Sequence, residues 1–318
     1  MTLKEFQFIN AWENGHRMLG RVVGVAFCLP WAYFSVRGMI PAGYQGRMAL
    51  LGSMGAAQGA IGWWMVRSGL GDDRKGDKNE IRVKPIRLAT HLSMAVATYS
   101  ALLWTGMKML SLPHDHKAIY SALLKDMSSK TSEALRKAAR LRLGGLGLVG
   151  LTGLTIVSGA LVAGNDAGRA FNTFPTMNGE WVPSQIMELV PWERNLVENT
   201  ATVQWNHRVL GTATALTAAS LVIAGLSPSK AALLTPQARK GLYAIGIAAT
   251  GQFTLGVVTL LNYVPISLAA MHQVGSIVVL TSGVYFVHAL RYAQPLVKKG
   301  AETVARKSVV LSSLKPSI

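Results

Sequence analysis

Long stretches without a charged residue divide this chain into predicted helices. Four of these runs are 19 to 23 residues long and cover positions 48–66, 88–107, 143–165 and 209–229. A fifth run, 241–290, holds 50 uncharged residues, and the segment Asn262-Tyr263-Val264-Pro265 near its centre divides it in two. Since about 20 helical residues cross the hydrocarbon core of a membrane, the pattern predicts six membrane-spanning helices.

A seventh helix is predicted to follow His16 and to end near Arg37. Its uncharged part, 22–36, is only 15 residues long, so the turn that carries His16, Arg17 and Arg21 is needed to reach across the membrane. Two arginines then lie at or just inside the interface. They either extend to the lipid headgroups or pair with an anionic ligand, whose carboxylates a guanidinium attracts.

Composition and charge are typical of a membrane protein and argue against a soluble or nucleic-acid-binding one. Half of the residues are apolar and 15% are charged, whereas soluble domains have about 25% charged residues. The net charge of +17 is unevenly distributed. The loops around 37–47, 108–142 and 230–240 and the tail after 290 carry 19 Lys and Arg against 4 Asp and Glu, while the other side carries 10 against 11. Basic loops face the cytoplasm or the mitochondrial matrix, so the asymmetry predicts the orientation.

Four histidines occupy matching places in two halves of the chain. His16 opens the string HRMLG and His207 opens HRVLG, and a second histidine follows in each half, His91 and His272. Each lies at or near the start of a helix that runs toward the basic side, so all four should lie at similar depth. The two helices of each pair run parallel within their half and can clamp a flat cofactor between two imidazoles.

Ligation of haem iron by two imidazoles suits this arrangement, because the porphyrin fills the equatorial positions and only two axial ligands are needed. The alternative is that the histidines are packing residues copied with the repeat, but matching pairs with matching neighbours favour ligands. A metal site is less expected at His114 and His116, which fall in a loop of solvated composition. His288 is expected near the membrane interface.

The same matches define an internal repeat. The histidines recur after 191 and 181 residues, and between them 58–62 matches 252–256 at an offset of 194. Helix 143–165 precedes His207 without a counterpart before His16. We therefore expect an all-α, polytopic membrane helical bundle of two four-helix repeats, with seven helices present and the first helix of the first repeat missing. We expect four segments along the chain: an N-terminal repeat at 1–110, a basic inner-side linker at 111–142, a C-terminal repeat at 143–295 and a basic tail at 296–318.

Glu13 distinguishes the first half from the second. It lies one helical turn before His16, so if the helix begins early its carboxylate shares a face with the imidazole. A carboxylate there can accept or relay protons, whereas the matching residue of the second half, Gln204, is neutral. The first half is therefore the better candidate for chemistry and the second for a permanently held cofactor. The alternative for Glu13 is a first-turn acid favoured by the helix dipole.

The connection after 143–165 is predicted to be a structured turn on the less basic side, since it is rich in glycine, asparagine and proline. Its aromatic residues Phe171, Phe174 and Trp181 could cover the bundle, and capping without ligand contact is the favoured role. Asp166 and Arg169 in the same connection are weaker site candidates.

An ordered set of residues, spread over nearly the whole chain, matches a known family. The set comprises Glu13-x-x-His16-Arg17-x-x-Gly20-Arg21, the His91 segment, Asp166-Ala167-Gly168 with Phe171-Asn172-Thr173-Phe174-Pro175, Glu198-Asn199-Thr200 through Gln204-x-x-His207-Arg208, and Leu268-Ala269-Ala270-x-His272-Gln273. It resembles the haem A synthase family of cytochrome oxidase assembly proteins. In lacking a loop cysteine pair, the chain is similar to members of the mitochondrial and proteobacterial branch of that family.

The resemblance implies an eight-helix oxidoreductase that converts haem O to haem A by oxidising the C8 methyl group to a formyl group. It implies a haem b cofactor, with iron held by His207 and His272, and a substrate haem O whose iron is held in the first half. The implied catalytic residues are Glu13, His16 and His91. The implied cofactor-binding residues are His207, His272, Arg208 and Arg17.

The expected partners are haem O, haem O synthase, an electron donor or acceptor and the lipid membrane, with no nucleic acid and with a homo-oligomer left open. The expected location is the mitochondrial inner membrane, multi-pass, with the basic loops in the matrix. A bacterial plasma membrane is the alternative. A di-haem b electron-transfer cytochrome is the alternative function, while a repeat-built transporter would need a substrate path near the midplane.

Overall fold

Seven long helices make up most of the part of the chain that the structure describes. The computed structural model describes residues 2–70, 83–110, 129–227, 234–293 and 295–297. The helices are α1 (Leu3–Val36), α2 (Gln45–Arg67), α3 (Pro85–Leu110), α4 (Ser129–Gly164), α5 (Thr200–Leu226), α6 (Pro236–Leu261) and α7 (Ile266–Ala289). The all-α prediction is thereby confirmed. His114, His116, most of the predicted linker and the tail from 298 lie outside the described residues.

Helix α1 begins well before the position expected from the sequence. Thr2 and Glu5 form a capping box, in which the Thr2 hydroxyl accepts from the Glu5 amide and the Glu5 carboxylate accepts from the Thr2 amide. The helix therefore starts 13 residues before His16 rather than near it. With 34 residues, α1 is about 50 Å long at about 1.5 Å per residue.

Five segments of the described chain are long and apolar enough to cross a membrane. They are Leu3–Val36, Glu133–Gly164, Thr200–Leu226, Pro236–Leu261 and Ile266–Ala289. Helices α2 and α3, of 23 and 26 residues and carrying Gln58 and His91, are not among these segments. The prediction of a polytopic helical membrane protein is confirmed in this form, and membrane crossing by α2 and α3 stays a prediction.

The chain divides into two compact units, residues 1–102 and 103–318. In the first unit, α1 approaches α2 where a Cβ on Gly52 would lie 3.0 Å from the Trp31 ring. The Arg87 guanidinium at the start of α3 lies 4.6 Å from the Trp64 ring centroid and donates to the Trp64 carbonyl at 2.9 Å. These contacts connect α2 to both of its neighbours.

In the second unit, α4 packs on α5 and α7, and α6 packs on the same two helices, which makes a closed four-helix bundle. Glycines allow close approach at its centre. A Cβ on Gly145 would lie 2.9 Å from the Phe286 ring, and one on Gly241 would lie 3.1 Å from the Phe286 backbone. The Thr155 and Thr214 hydroxyls, 2.9 Å apart, join α4 to α5.

The connection between α4 and α5 is ordered by buried polar side chains. It contains a short helix, Ala167–Ala170, and a 3-10 helix, Trp192–Leu196. Asn195 is fully buried and donates to the Leu189 and Trp192 carbonyls. Asn199 caps α5 by accepting from the Thr202 amide at 2.8 Å. This network fixes the start of the helix that carries His207.

Candidate functional site

The structure brings together both histidine pairs that the sequence predicts. The ring centroids of His16 on α1 and His91 on α3 are 6.5 Å apart, with an angle of 65° between the ring planes. Those of His207 on α5 and His272 on α7 are also 6.5 Å apart, at 85°. Each pair lies within one of the two compact units.

This separation fits two imidazoles that bind one metal ion from opposite sides. Imidazole nitrogen binds metals at about 2.0–2.1 Å and lies about 1.1 Å from its ring centre, so the two centroids would be about 6.3 Å apart. In the described part of the chain, no group of three or more His, Cys, Asp or Glu side chains is placed to hold a bare ion. Each pair therefore suits a group such as haem, which supplies the remaining ligands itself.

A hydrogen-bond chain orients the His207 ring. Ser158 on α4 lies 2.7 Å from His207 Nδ1 and 2.8 Å from the Thr155 carbonyl, measured from Oγ. Because the serine has one hydroxyl hydrogen and the carbonyl can only accept, Oγ accepts from the histidine Nδ1–H. His207 is then unprotonated at Nε2, the nitrogen available to a metal. A Cβ on Gly159 would lie 3.1 Å from His207 Cε1, so the ring rests against the α4 backbone.

A glutamine and a glycine on α6 contact the His272 ring. The Gln252 amide nitrogen donates to the His272 carbonyl at 2.9 Å and lies 3.4 Å from His272 Nε2. Since the group facing a carbonyl must be the NH2, Nε2 is the acceptor and carries the lone pair. A Cβ on Gly256 would lie 2.7 Å from His272 Cε1. The His272 ring is therefore confined between the Gln252 side chain and the backbone at Gly256.

Two of these contacts also occur around His91. The Gln58 amide nitrogen lies 3.2 Å from His91 Nε2, and a Cβ on Gly62 would lie 2.9 Å from His91 Cε1. Nδ1 of His91, like Nδ1 of His272, is buried without a hydrogen-bond partner among the described residues. The sequence match of 58–62 with 252–256 thus corresponds to matching contacts in the two units.

The position along the helix is also the same for the second histidine of each unit. His91 and His272 are both the sixth residue after the first residue of their helices, Pro85 and Ile266. The glutamines that contact them, Gln58 and Gln252, are both nine residues before the last residue of α2 and α6. His207 lies seven residues after the first residue of α5. His207 and His272 are therefore each about 10 Å along the axis from the first residue of their helices.

His16 lies in a more open environment than His207. It is exposed, whereas His207 is partly buried against α4. Glu13 lies on α1 as expected for an early helix start, and its carboxylate accepts from the Arg17 guanidinium at 3.2 Å. Both side chains of this ion pair are more than half exposed, at 59% for Glu13 and 52% for Arg17. Glu13, His16 and Arg17 thus share one face of α1.

The equivalent residues of the second unit have different surroundings. Gln204 is 3% exposed, and its Oε1 is buried without a hydrogen-bond partner among the described residues. Arg208 is turned to the α4–α5 connection, where it donates to four backbone carbonyls.

Asp166 adopts a left-handed conformation with φ 49° before the short helix, and Arg169 lies in that helix. Asp166 and Arg169 thus follow the end of α4, eight and eleven residues after Ser158.

The sequence reasoning missed Ser158 and Gly159, which contact His207, although both lie in the predicted helix 143–165. The Gln-x-x-x-Gly spacing at 58–62 and 252–256 was visible and could have indicated contacts to the second histidine of each half. His288 is buried at the basic end of α7, with its ring centroid 5.0 Å from that of Trp104. It is therefore packed against other side chains at the end of the helix, and its position near the membrane interface stays a prediction.

The fold and the site are those of a helical membrane protein with a pair of neighbouring imidazoles in each of its two compact units. The family model described as cytochrome oxidase assembly protein, COX15-CtaA, matches residues 1–284. The chain therefore belongs to this family, as the sequence resemblance predicted. No solved structure matches the chain.

Curated proteins similar to this chain come from eukaryotes and bacteria. The protein named Heme A synthase COX15 is 39% identical in Arabidopsis thaliana over 97% of this chain and 64% of its own length. The human protein of that name is 39% identical over 92% of this chain and 66% of its own length. Heme A synthase of Rhodopseudomonas palustris is 39% identical over 88% of this chain and 68% of its own length. The chain thus spans slightly less than two thirds of the eukaryotic relatives.

Proposed function

We propose that this chain is a haem A synthase, an oxidoreductase that converts haem O to haem A by oxidising the C8 methyl group to a formyl group. The observation that carries the proposal is the pair of imidazoles in each unit, whose ring centroids lie 6.5 Å apart, close to the separation that two imidazoles would have if both held one iron. Family membership and the names of the similar proteins support the reaction.

We assign the His207 and His272 pair to a permanently bound haem b. Both rings are confined by neighbouring helices, and the Ser158 hydroxyl, by accepting from His207 Nδ1–H, leaves Nε2 of that ring unprotonated. A site prepared in this way favours tight and lasting ligation. Bound haem supplies the one-electron chemistry that protein side chains cannot supply.

We assign the His16 and His91 pair to the substrate, haem O. His16 is exposed, as suits a site that must admit a substrate and release a product. Glu13, one turn away, is the group that accepts protons released from the methyl carbon as it is oxidised. Arg17 holds the Glu13 carboxylate on the face of α1 that carries His16.

In the proposed reaction, water supplies one oxygen atom in each of two successive two-electron oxidations of the substrate methyl, and each time two electrons pass to an external redox partner while two protons are released. The methyl group becomes an alcohol and then a geminal diol, which loses water to form the aldehyde. Each step releases protons near the substrate, and a carboxylate can accept them, whereas the Gln204 amide of the second unit cannot. This chemical difference is why we assign the reaction to the first unit.

The proposal includes an internal repeat of the histidine-bearing helices. Matching helix register, matching glutamine and glycine contacts and matching centroid separations support it. It also includes seven membrane crossings, with the basic loops in the mitochondrial matrix or the bacterial cytoplasm. The expected partners are an enzyme that delivers haem O and a redox protein that accepts electrons.

Pigment analysis of the purified full chain tests this function. The protein is produced in cells that make haem O but no haem A, and extracted haems are separated by chromatography. Haem b together with haem A, or with the hydroxylated form of haem O, supports the proposal. Haem b alone, at two equivalents per chain and despite a supply of haem O, would indicate a di-haem electron-transfer cytochrome instead.

A further inference from the structure

One guanidinium organises the segment 171–176 of the α4–α5 connection. Arg208 Nη1 donates at 3.0 and 3.2 Å and Nη2 at 2.7 and 2.8 Å to backbone carbonyls. The acceptors are the carbonyls of Thr176, Pro175, Thr173 and Phe171. All four Nη hydrogens are therefore used within the protein, and only the buried Nε–H lacks a partner among the described residues.

The segment has further anchors of its own. The Thr173 hydroxyl donates to the Thr176 carbonyl at 2.8 Å and accepts from the Asn178 amide at 2.7 Å. The Phe174 ring lies edge-to-face on the Phe253 ring of α6, with centroids 6.2 Å apart. The segment is thus held to α5 through a charged side chain and to α6 through an aromatic one.

Arg208 and Phe253, the two residues that contact the segment from α5 and α6, are each next to a residue of the second histidine site. Arg208 directly follows His207, and Phe253 directly follows Gln252, whose amide contacts His272. The segment therefore spans from α5, next to His207, to α6, next to the glutamine that contacts His272.

We propose that Arg208 is a positioning residue that holds segment 171–176 as a cover over the haem b site. This inference rests on the proposed ligation of haem b by His207 and His272. The cover excludes water from the bound haem and slows its release, and Phe174 acts in the same cover without carrying charge. The role differs from direct pairing of Arg208 with a carboxylate of the cofactor, because the terminal nitrogens are committed to the segment.

The substitution Arg208→Lys separates the two roles. Lysine keeps the positive charge but places three donors at one point, so it cannot bind four carbonyls as the planar guanidinium does. Phe174→Ala removes the second anchor without any change of charge. Arg194→Lys is the matched control, because Arg194 lies in the same connection and pairs with the exposed Glu198 at 2.7 Å.

Three measurements on the purified full chain test the cover. Hydrogen exchange of the peptide that contains 171–178 reports whether the segment is closed, with or without haem. Transfer of haem b to excess apomyoglobin reports its release rate. The midpoint potential of protein that retains its low-spin spectrum reports exposure of the haem to water.

We expect Arg208→Lys and Phe174→Ala each to raise exchange of the segment, to speed haem release at least about tenfold and to lower the midpoint potential, since water stabilises the ferric form. The double variant should add little to either single one, because both act through one segment. Unchanged exchange and release in Arg208→Lys would overturn the inference. A wild-type chain with a protected segment but no low-spin haem would instead refute the proposed function.

Discussion

Ser158 on α4 and His207 on α5 are joined by a hydrogen bond of 2.7 Å between Oγ and Nδ1. Because Ser158 also donates to the Thr155 carbonyl, it must accept from the histidine. We predict that Ser158→Ala lowers the affinity for haem b by about 10- to 100-fold, the usual effect of removing a partner that orients a ligand. Titration of haem into the haem-free protein, followed by absorbance, measures the change.

The control for this substitution is Ser276→Ala on α7. Ser276 donates only to the Gln273 carbonyl of its own helix, so its removal should leave haem binding unchanged. Equal affinities of the Ser158→Ala and wild-type proteins would show that the hydroxyl does not orient the ligand.

The glycines that face the histidine rings provide a second prediction. A Cβ at Gly256 would lie 2.7 Å from His272 Cε1, closer than real contacts allow, so Gly256→Ala should displace the ring and lower the haem b content of the purified protein. Gly251→Ala on the same helix is the matched control, because a Cβ there meets nothing within 4 Å. Equal haem content in the two variants would contradict the geometry of the site.

The sequence predicted the histidine pairs because histidines recur in both halves with the same neighbours. Matching runs of uncharged residues placed His91 and His272 near the same end of their helices, and the structure brings each next to its expected partner. The contacts of Ser158 and Gly159 could not be predicted in this way. They depend on the rotation of α4 about its axis, which an uncharged run with small residues on several faces leaves undetermined.

Two other features of the structure, the start of α1 and the contacts of Arg208, have local physical causes. The early start of α1 follows from the Thr2 and Glu5 capping box. This signal is present in the sequence but lies well before the uncharged run 22–36 from which the helix was predicted. The family resemblance implies that Arg208 binds the cofactor, and that role stays a prediction. The structure shows that backbone carbonyls satisfy its terminal nitrogens equally well.

A third prediction concerns the carboxylate that distinguishes the two units. Glu13→Gln gives the first unit the amide found at Gln204, so we expect haem b to remain bound while haem A formation falls about 100-fold or more. Chromatography of extracted haems measures both quantities in one sample.

Glu133→Gln is the matched control for this change. Glu133 forms a similar exposed ion pair one helical turn from Lys137, with a nitrogen–oxygen distance of 3.5 Å. It should leave both pigments unchanged. Normal haem A formation in Glu13→Gln would remove Glu13 from the proposed chemistry.

The most direct test of the central claim compares His91→Ala with His272→Ala in cells that supply haem O. Each substitution removes one imidazole from one pair, and the haems of the purified proteins are extracted and quantified. We predict that His91→Ala retains haem b but forms no haem A, whereas His272→Ala loses haem b. Loss of haem b in His91→Ala with retention in His272→Ala, or the same haem composition in both variants, would contradict the division into a substrate site and a cofactor site.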